Sequence, residues 1–393
     1  MKQEANESAG SRGGAVSPVT AGSGVGASSC DLVLDLGEIH PSGHGALRLD
    51  CQLDTTSDPA VVAAAEVRPG LLHRGAEKLL ESRDYRQALM LVDRHDWLQA
   101  VTSEVALALA VEELLGLQAP PRAVWLRTVL CEINRASAAL MHLAGAATLP
   151  PHGADPGRAP GMAGREALLR CLESVSGGRV HVMITRIGGL AHDASDAWLQ
   201  EVRDAVGVVR SQLPELRDAL ERTVPPGIAP LSSASAREYG ATGPALRACG
   251  VGLDLRRDRP YLAYGELRDA VRVITAPEGD ARARYRVLLE QVEADLDLIV
   301  AITDRIPEGP VDVALPKVVR APEGSAYAMV ESCTGIAGAY VVSVGEPTPW
   351  RVRLRTPSYA HAQALGIALP GTRVADLAVA VSSFLLLAGD VDH

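Results

Sequence analysis

The sequence predicts an α+β fold, a helix-rich core with small antiparallel β elements at its N- and C-terminal parts. Three observations lead there. Apolar residues recur at helical spacing through most of 72–305, whereas short stretches near 31–54 and 326–355 follow strand patterns. Hydrophobic residues make up 47% of the 393-residue chain and charged residues 22%, which is globular usage in a chain long enough for a large core.

The elements follow in order. Residues 1–29 are rich in Gly, Ser and Ala, lack an apolar signal-peptide region and read as a disordered tail. A single domain is expected over 31–393. Within 31–54, Leu32, Leu34 and Leu36 fall on one face, and Leu47, Leu49, Cys51 and Leu53 repeat the alternation. The segment 37–45 between them holds three Gly and Pro41, so a β-hairpin with its tip there is expected. The mainly helical core spans 72–305. Its first part, 72–149, includes a helix opened by Pro121, whose missing N–H costs nothing at that position. Val129, Leu130, Ile133, Leu140 and Leu143 give that helix an apolar stripe.

Residues 150–164 read as a loop and 165–176 as a helix stopped at Gly177-Gly178. A short strand is expected at 180–184, then a long helix over 195–222 with a break near Pro214, because proline removes an internal hydrogen bond. Residues 223–278 are mostly irregular, and another long helix spans 280–305. The C-terminal β/α part, 326–393, offers strands near 326–331, 338–344 and 350–355 and a closing helix over 371–387.

Charge and cysteine content exclude several function classes. Lys and Arg total 38 against 48 Asp and Glu, a net charge of −10, whereas a nucleic-acid binder needs a basic surface. The cysteines, at 30, 51, 131, 171, 249 and 333, include no C-x-x-C pair. No cysteine-ligated metal site is therefore expected, and the thiols read as small core residues in a reducing compartment. The apolar run 377–389 is shorter than the ~20 residues a membrane-spanning helix needs.

Singly, the polar candidates carry little. His40 and His44 stand four apart on the Gly/Pro loop, without a third metal ligand nearby in sequence. Metal ligation, a solvent-facing polar loop and hydrogen bonding to a ligand all stay open for them. Arg74 lies among charges at a helix start, 93–97 (DRHDW) is a charged knot beside a Trp, and His181 and Arg186 flank the strand that runs into Gly188-Gly189.

Taken in order, these segments resemble one family. GEIHPSGHGALRL, LLHRGAEKL, DYRQALMLVDRHDW, LAVEELLGLQAPPRA with CEINR, VSGGRVHVMITRIGG, GPALRACGVGLDLRRDRPYLAY and the ending YVVSVG…WRVRLRTPSYAHAQAL…ADLAVAV…GDVDH are similar to the 49-kDa subunit of proton-translocating NADH:quinone oxidoreductase, respiratory complex I, known in the bacterial enzyme as the D-type subunit. The resemblance covers about 31–393. That family is related to the large subunit of nickel–iron hydrogenases, which implies a hydrogenase-large-subunit-like core. The hydrogenase centre itself needs two C-x-x-C pairs, which are missing here.

The resemblance implies a redox subunit that binds no cofactor of its own and is not catalytic alone. Electrons would pass from NADH through FMN and Fe–S clusters in partner subunits to a quinone, with menaquinone the expected type. The implied partners are a B-like Fe–S subunit, a C-like subunit and the membrane-arm subunits. The implied location is peripheral, on the cytoplasmic side of the cell membrane. His44 would hydrogen-bond the quinone head group, with Trp97 and His40 beside it. Arg74, His181 and Arg186 would lie near the partner's terminal Fe–S cluster.

Departures from the family pattern fall on the quinone side. Trp97 stands where the family has a head-group tyrosine, and Leu149 where it has an aspartate partner for the hairpin histidine. The aromatic-rich stretch that follows is replaced by PPHGADPGRAPG, with Asp155 the nearest carboxylate. The R-P-G-G signature reads Arg186-Ile187-Gly188-Gly189. A non-catalytic scaffold or assembly paralogue is the alternative these changes suggest.

Overall fold

The computed structural model describes residues 19–23, 30–34, 36, 39–149, 153 and 155–393. Two separate hairpins form the N-terminal part. Strand β1 (Val19–Ser23) pairs antiparallel with β2 (Cys30–Leu34), and β3 (Arg48–Asp54) pairs with β4 (Val61–Arg68). The single 31–54 hairpin is thereby corrected: each of its two strands has another partner, and 39–45 leads into the second hairpin instead of forming a tip. The turn after β3 explains the pairing. The Asp54 carboxylate accepts from the Thr56 N–H at 2.9 Å and from the Thr56 and Ser57 hydroxyls, so a local polar turn sends the chain straight back. Part of the expected tail, 19–23, is strand β1; 1–18 and 24–29 lie outside the described residues.

Short helices α1 (Ala76–Glu81) and α2 (Tyr85–Leu89) lead into α3 (Ala100–Leu115) and α4 (Pro121–Ala147). Then come α5 (Met162–Ser176), the two-residue strands β5 (Thr185–Arg186) and β6 (Gly189–Leu190), and α6 (Asp196–Thr223). The expected strand at 180–184 is displaced to 185–190, where it folds on itself as a minimal hairpin. Helix α6 runs without interruption through Pro214, contrary to the expected break. Its stripe of Val202, Val206, Val209, Leu213, Leu216 and Leu220 is buried against α5, α4 and α10. That packing outweighs the ~3 kcal/mol a mid-helix proline costs.

Helices α7 (Ser233–Glu238), α8 (Gly243–Arg247) and α9 (Leu255–Asp258) punctuate the irregular stretch before α10 (Ala281–Thr303). The three C-terminal strands, β7 (Gly324–Glu331), β8 (Ile336–Ser343) and β9 (Arg351–Arg355), form an antiparallel sheet in sequence order, with α3 packed across β7 and β8. Helix α11 (Pro357–Ala368) follows. The closing helix expected at 371–387 is divided into α12 (Leu377–Ser382) and α13 (Ala388–Val391).

The centre of the molecule is α4, buried from Trp125 to Ala147 and enclosed by α3, α5, α6 and α10. Alanines at 136, 138, 139, 144, 146 and 147 let these helices approach closely. Charges inside this core are paired. Arg256 bonds Glu132, Asp254 and Asp295, Arg135 bonds Asp295, and Arg247 bonds Glu331, all at 2.8–3.1 Å. A charge taken out of water persists only when so matched.

Candidate functional site

Helix α3 builds the site from two of its three acids. Glu104 and Glu112 lie two turns apart, so they share a face. Glu104 accepts from the backbone N–H groups of Met183 (2.7 Å) and Thr185 (2.9 Å). Burial and the nearby Asp93 charge push its carboxyl up to about 7. Glu112 accepts from the Gly188 N–H at 2.7 Å and pairs with Arg127 of α4 at 2.7 and 3.0 Å. Arg127 also donates to the carbonyls of Arg186 and Gly189. The 183–190 segment is thus held by its backbone. Gly189 is obligatory there: at φ +153° a Cβ would sit 2.0 Å from the Val311 carbonyl oxygen.

Beside this anchored segment, His181 Nδ1 lies 2.9 Å from Asp93 Oδ2. Asp93 is buried, and desolvation raises its carboxyl above the usual range against the pull of His181. Arg74, exposed at the start of α1, donates to the Arg94 carbonyl at 3.0 Å. Arg74 and His181 therefore meet on the adjacent residues Asp93 and Arg94. Arg186 is half-buried, donates to the Met183 and Thr185 carbonyls at 2.8 and 2.9 Å, and is lowered by desolvation from the usual guanidinium range. Arg74 and His181 are thus brought together on 93–94, while Arg186 lies on the anchored 183–190 segment.

The charged knot continues into the neighbouring loop. Asp96 is buried, its carboxyl raised by desolvation and by Asp390, and it caps the turn that carries Trp97 by accepting from the Gln99 N–H. Trp97 is partly buried and meets His44 edge to face, ring centroids 5.6 Å apart at 71°. His44 is exposed. Among the described residues neither ring makes a side-chain hydrogen bond, so the indole N–H and the imidazole nitrogens are unspent.

His40 has a different setting. It is fully buried against α4, where Gly145 leaves room for it: a Cβ there would lie 2.7 Å from His40 Cδ2. Its Nδ1 accepts from the Ser42 N–H at 3.2 Å, and its ring meets that of His142 at 5.8 Å, 72° between planes. Leu149, where the resemblance places a carboxylate, is fully buried.

Sequence reasoning missed Glu104, Glu112, Arg127 and His142. The available signal was a charged or imidazole side chain inside an apolar or Ala-rich helix, which demands a partner. A concavity of ≈ 580 Å³ lies elsewhere, lined by His73, Arg353, Arg355, Tyr359, Asp392 and His393. Its carboxylate is already engaged, since Asp392 accepts from the Gly70 and Leu72 N–H groups. Among the described residues no helix is long and apolar enough to cross a membrane, and no three His, Cys, Asp or Glu side chains group as for a metal ion.

Residues 153–322 and 313–393 match the family described as respiratory-chain NADH dehydrogenase, 49 Kd subunit. The chain belongs to this family. It is 46% identical to an NADH-quinone oxidoreductase D-type subunit of Streptomyces coelicolor, across 95% of this chain and 98% of that one. It is 47% identical to the corresponding NADH-quinone oxidoreductase chain of Salinispora tropica, across 95% and 97%. Among solved structures it is similar to a chain of the membrane-bound sulfane sulfur reductase, an archaeal respiratory membrane complex. That match has a TM-score of 0.79 and 33% identity over 89% of this chain and 98% of the other. The α+β architecture is thus that of a 49-kDa-family subunit of a respiratory oxidoreductase complex, and other subunits of such a complex are its partners.

Proposed function

We propose that this subunit forms one wall of the quinone head-group site of an NADH:quinone oxidoreductase. The observation that carries the reading is the meeting of His44 and Trp97 across two loops, with their hydrogen-bonding atoms unspent. Reducing a quinone to a quinol takes two electrons and two protons, so donors must reach its oxygens. His44 supplies an imidazole whose ring nitrogens can donate to or accept from a quinone oxygen. Trp97 supplies an N–H that orients an oxygen but does not release its proton.

Arg74, His181 and Arg186 form the wall toward the terminal Fe–S cluster of a B-like neighbour. Cationic groups there stabilise the reduced cluster. Electrons reach it from NADH through FMN and Fe–S centres in other subunits, C-like and membrane-arm subunits complete the complex, and menaquinone is the proposed acceptor. The subunit sits peripherally on the cytoplasmic side of the membrane.

Membranes carrying the complex test this. His44→Ala should lower NADH:quinone turnover by about tenfold or more while NADH:ferricyanide activity persists. Equal quinone rates in wild type and variant would reject the site. Buried Leu149 favours a second reading, a scaffold paralogue without head-group chemistry. Assembled complexes that reduce ferricyanide but no quinone, even in the wild type, would select it.

A further inference from the structure

We propose that the concavity beside the C-terminal residues is the docking site of an acidic segment from a neighbouring subunit, one of whose carboxylates Arg355 receives. The inference needs the chain's place in a multi-subunit complex and does not depend on the head-group site. The concavity, ≈ 580 Å³, lies between residues 69–73, the end of β9 with the start of α11, and residues 391–393. A space of that size takes several residues of a chain rather than a lone ion.

The acids around it are already spent. Asp392 accepts from the N–H groups of Gly70 and Leu72 at 2.6 and 2.7 Å. His73 Nδ1 lies 2.9 and 3.1 Å from the main-chain oxygens of Asp392 and His393. Glu77 of α1 serves Arg351, Arg353 and the Leu354 N–H at 3.1, 3.4 and 2.9 Å, with His393 Nε2 3.7 Å away. One carboxylate is thus divided among several donors, and Arg353 holds only the longer of its two guanidinium contacts.

Arg355 has less still. It is only partly exposed, lines the concavity, and donates to the Ile336 carbonyl. Among the described residues no carboxylate stands at ion-pair distance from it. Glu331 and Asp390 act on it only from farther off, and both are engaged, Glu331 with Arg247 at 2.8 Å and Asp390 with the Ser358 N–H at 3.0 Å. A guanidinium drawn partly out of water without an anion is costly, and a carboxylate meeting its fork of N–H groups removes that cost. The next residue, Thr356, also lines the space, and its hydroxyl is buried without a hydrogen-bond partner among the described residues. A hydroxyl can donate to a carboxylate oxygen.

The apolar parts of the same surface favour a polypeptide over a small anion. Tyr359 lines the concavity 49% exposed, and Leu71, between the lining residues Gly70 and His73, is 62% exposed. A phosphate ion would meet the guanidinium groups and leave this apolar surface in water. A chain segment with an acidic side chain and an apolar neighbour covers both. Arg and Tyr are also the side chains that most often anchor protein interfaces. On a chain of net charge −10, this cationic hollow selects an acidic partner against the general charge of the molecule.

The test uses the assembled complex in membranes. Arg355→Lys replaces a guanidinium, which carbodiimide does not couple, with an amine that carbodiimide joins to an adjacent carboxylate. Mass spectrometry of the treated complex should find an amide cross-link from position 355 to an Asp or Glu of another subunit, absent from the wild type. Arg355→Glu sets like charges against each other, so in cells that also make the wild-type chain its share of the assembled complex should fall about tenfold. Arg355→Lys should be incorporated like the wild type. If Arg355→Glu does not fold, the cross-link alone decides. An assembled Arg355→Lys complex with no cross-link from position 355, or only cross-links within this chain, would overturn the docking. An anionic phospholipid bound to the wild-type complex and lost from Arg355→Glu, with no cross-link to another subunit, would also overturn it by assigning the concavity to a lipid head group.

Discussion

His44 and Trp97 meet edge to face, ring centroids 5.6 Å apart, and this contact joins the loop between the two N-terminal hairpins to the turn before α3. Aromatic contacts of this geometry contribute about 0.5–1.5 kcal/mol beyond burial, enough to set where the imidazole stands. It is also where the resemblance places a tyrosine.

Exchanging that indole for a phenol should speed the reaction. Trp97→Tyr restores a group that can both donate and accept, worth about 0.5–1.5 kcal/mol, so quinone turnover should rise roughly two- to tenfold. Steady-state assays on membranes, normalised to ferricyanide activity, read this directly. A rate equal to or below wild type would remove Trp97 from the head-group site.

Glu104 should matter more to local structure than its place inside a helix suggests. Glu104→Gln removes one of two acceptors for the Met183 and Thr185 N–H groups and turns an NH2 toward one of them. A loss of about 1–3 kcal/mol of stability is expected. Faster amide exchange concentrated in 183–190 would confirm it, and unchanged exchange there would refute it.

Arg127 and Glu112 are buried and mutually bonded. Removing either alone, as in Arg127→Leu or Glu112→Leu, leaves an uncompensated charge and should cost about 3–5 kcal/mol. The double variant should cost clearly less than the sum. Denaturant unfolding of the four proteins completes the cycle; strict additivity would contradict the pairing.

Acid should act against the buried histidines. His40 and His361 have their pKa values lowered to about 3 and about 4, and that of His142 is lowered as well, each chiefly by desolvation. Below the ordinary value of about 6.5 the unfolded state binds more protons than the folded one at these sites. Their stability contribution is complete above about pH 6.5 and is lost on acidification, at about 1.4 kcal/mol per pH unit for each. Glu104, raised to about 7, has the opposite sign, gaining stability as pH falls from about 7 toward its unfolded value of about 4.3. Asp93, Asp96, Glu132 and Glu331, raised by desolvation, share the sign of Glu104, so the histidine share is read as a difference: between about pH 7 and about pH 5 acid should lower the melting temperature of His142→Leu less than that of the wild type. Equal slopes would show that His142 is not buried neutral.

The long periodic helices and the three C-terminal strands were legible because apolar spacing dictates them; α10 and β7–β9 differ from expectation by only a few residues. The N-terminal pairing was not legible. β2 and β3 have the same alternation whichever strand they join, and the Asp54 turn that decides the matter depends on side-chain hydrogen bonds. Pro214 misled because local backbone cost was weighed without the tertiary stripe that opposes it. The meeting of Arg74 and His181 on 93–94 came into view through family resemblance. The supporting acids of α3 and the His40–His142 contact did not, since one sequence cannot tell which buried polar side chains face each other.

The guanidinium–carboxylate cluster around α4 has an unequal count. Arg135, Arg247 and Arg256 face Glu132, Asp254, Asp295 and Glu331, three positive groups against four negative ones, all buried. Asp254 and Asp295 are held below the ordinary carboxyl range by their arginines, whereas desolvation raises Glu132 and Glu331. One hydrogen ion would balance the count, and the raised Glu132 and Glu331 are the groups placed to hold it. Closing this core near neutrality draws that ion from the medium, so the heat of folding should depend on the ionisation enthalpy of the buffer chosen.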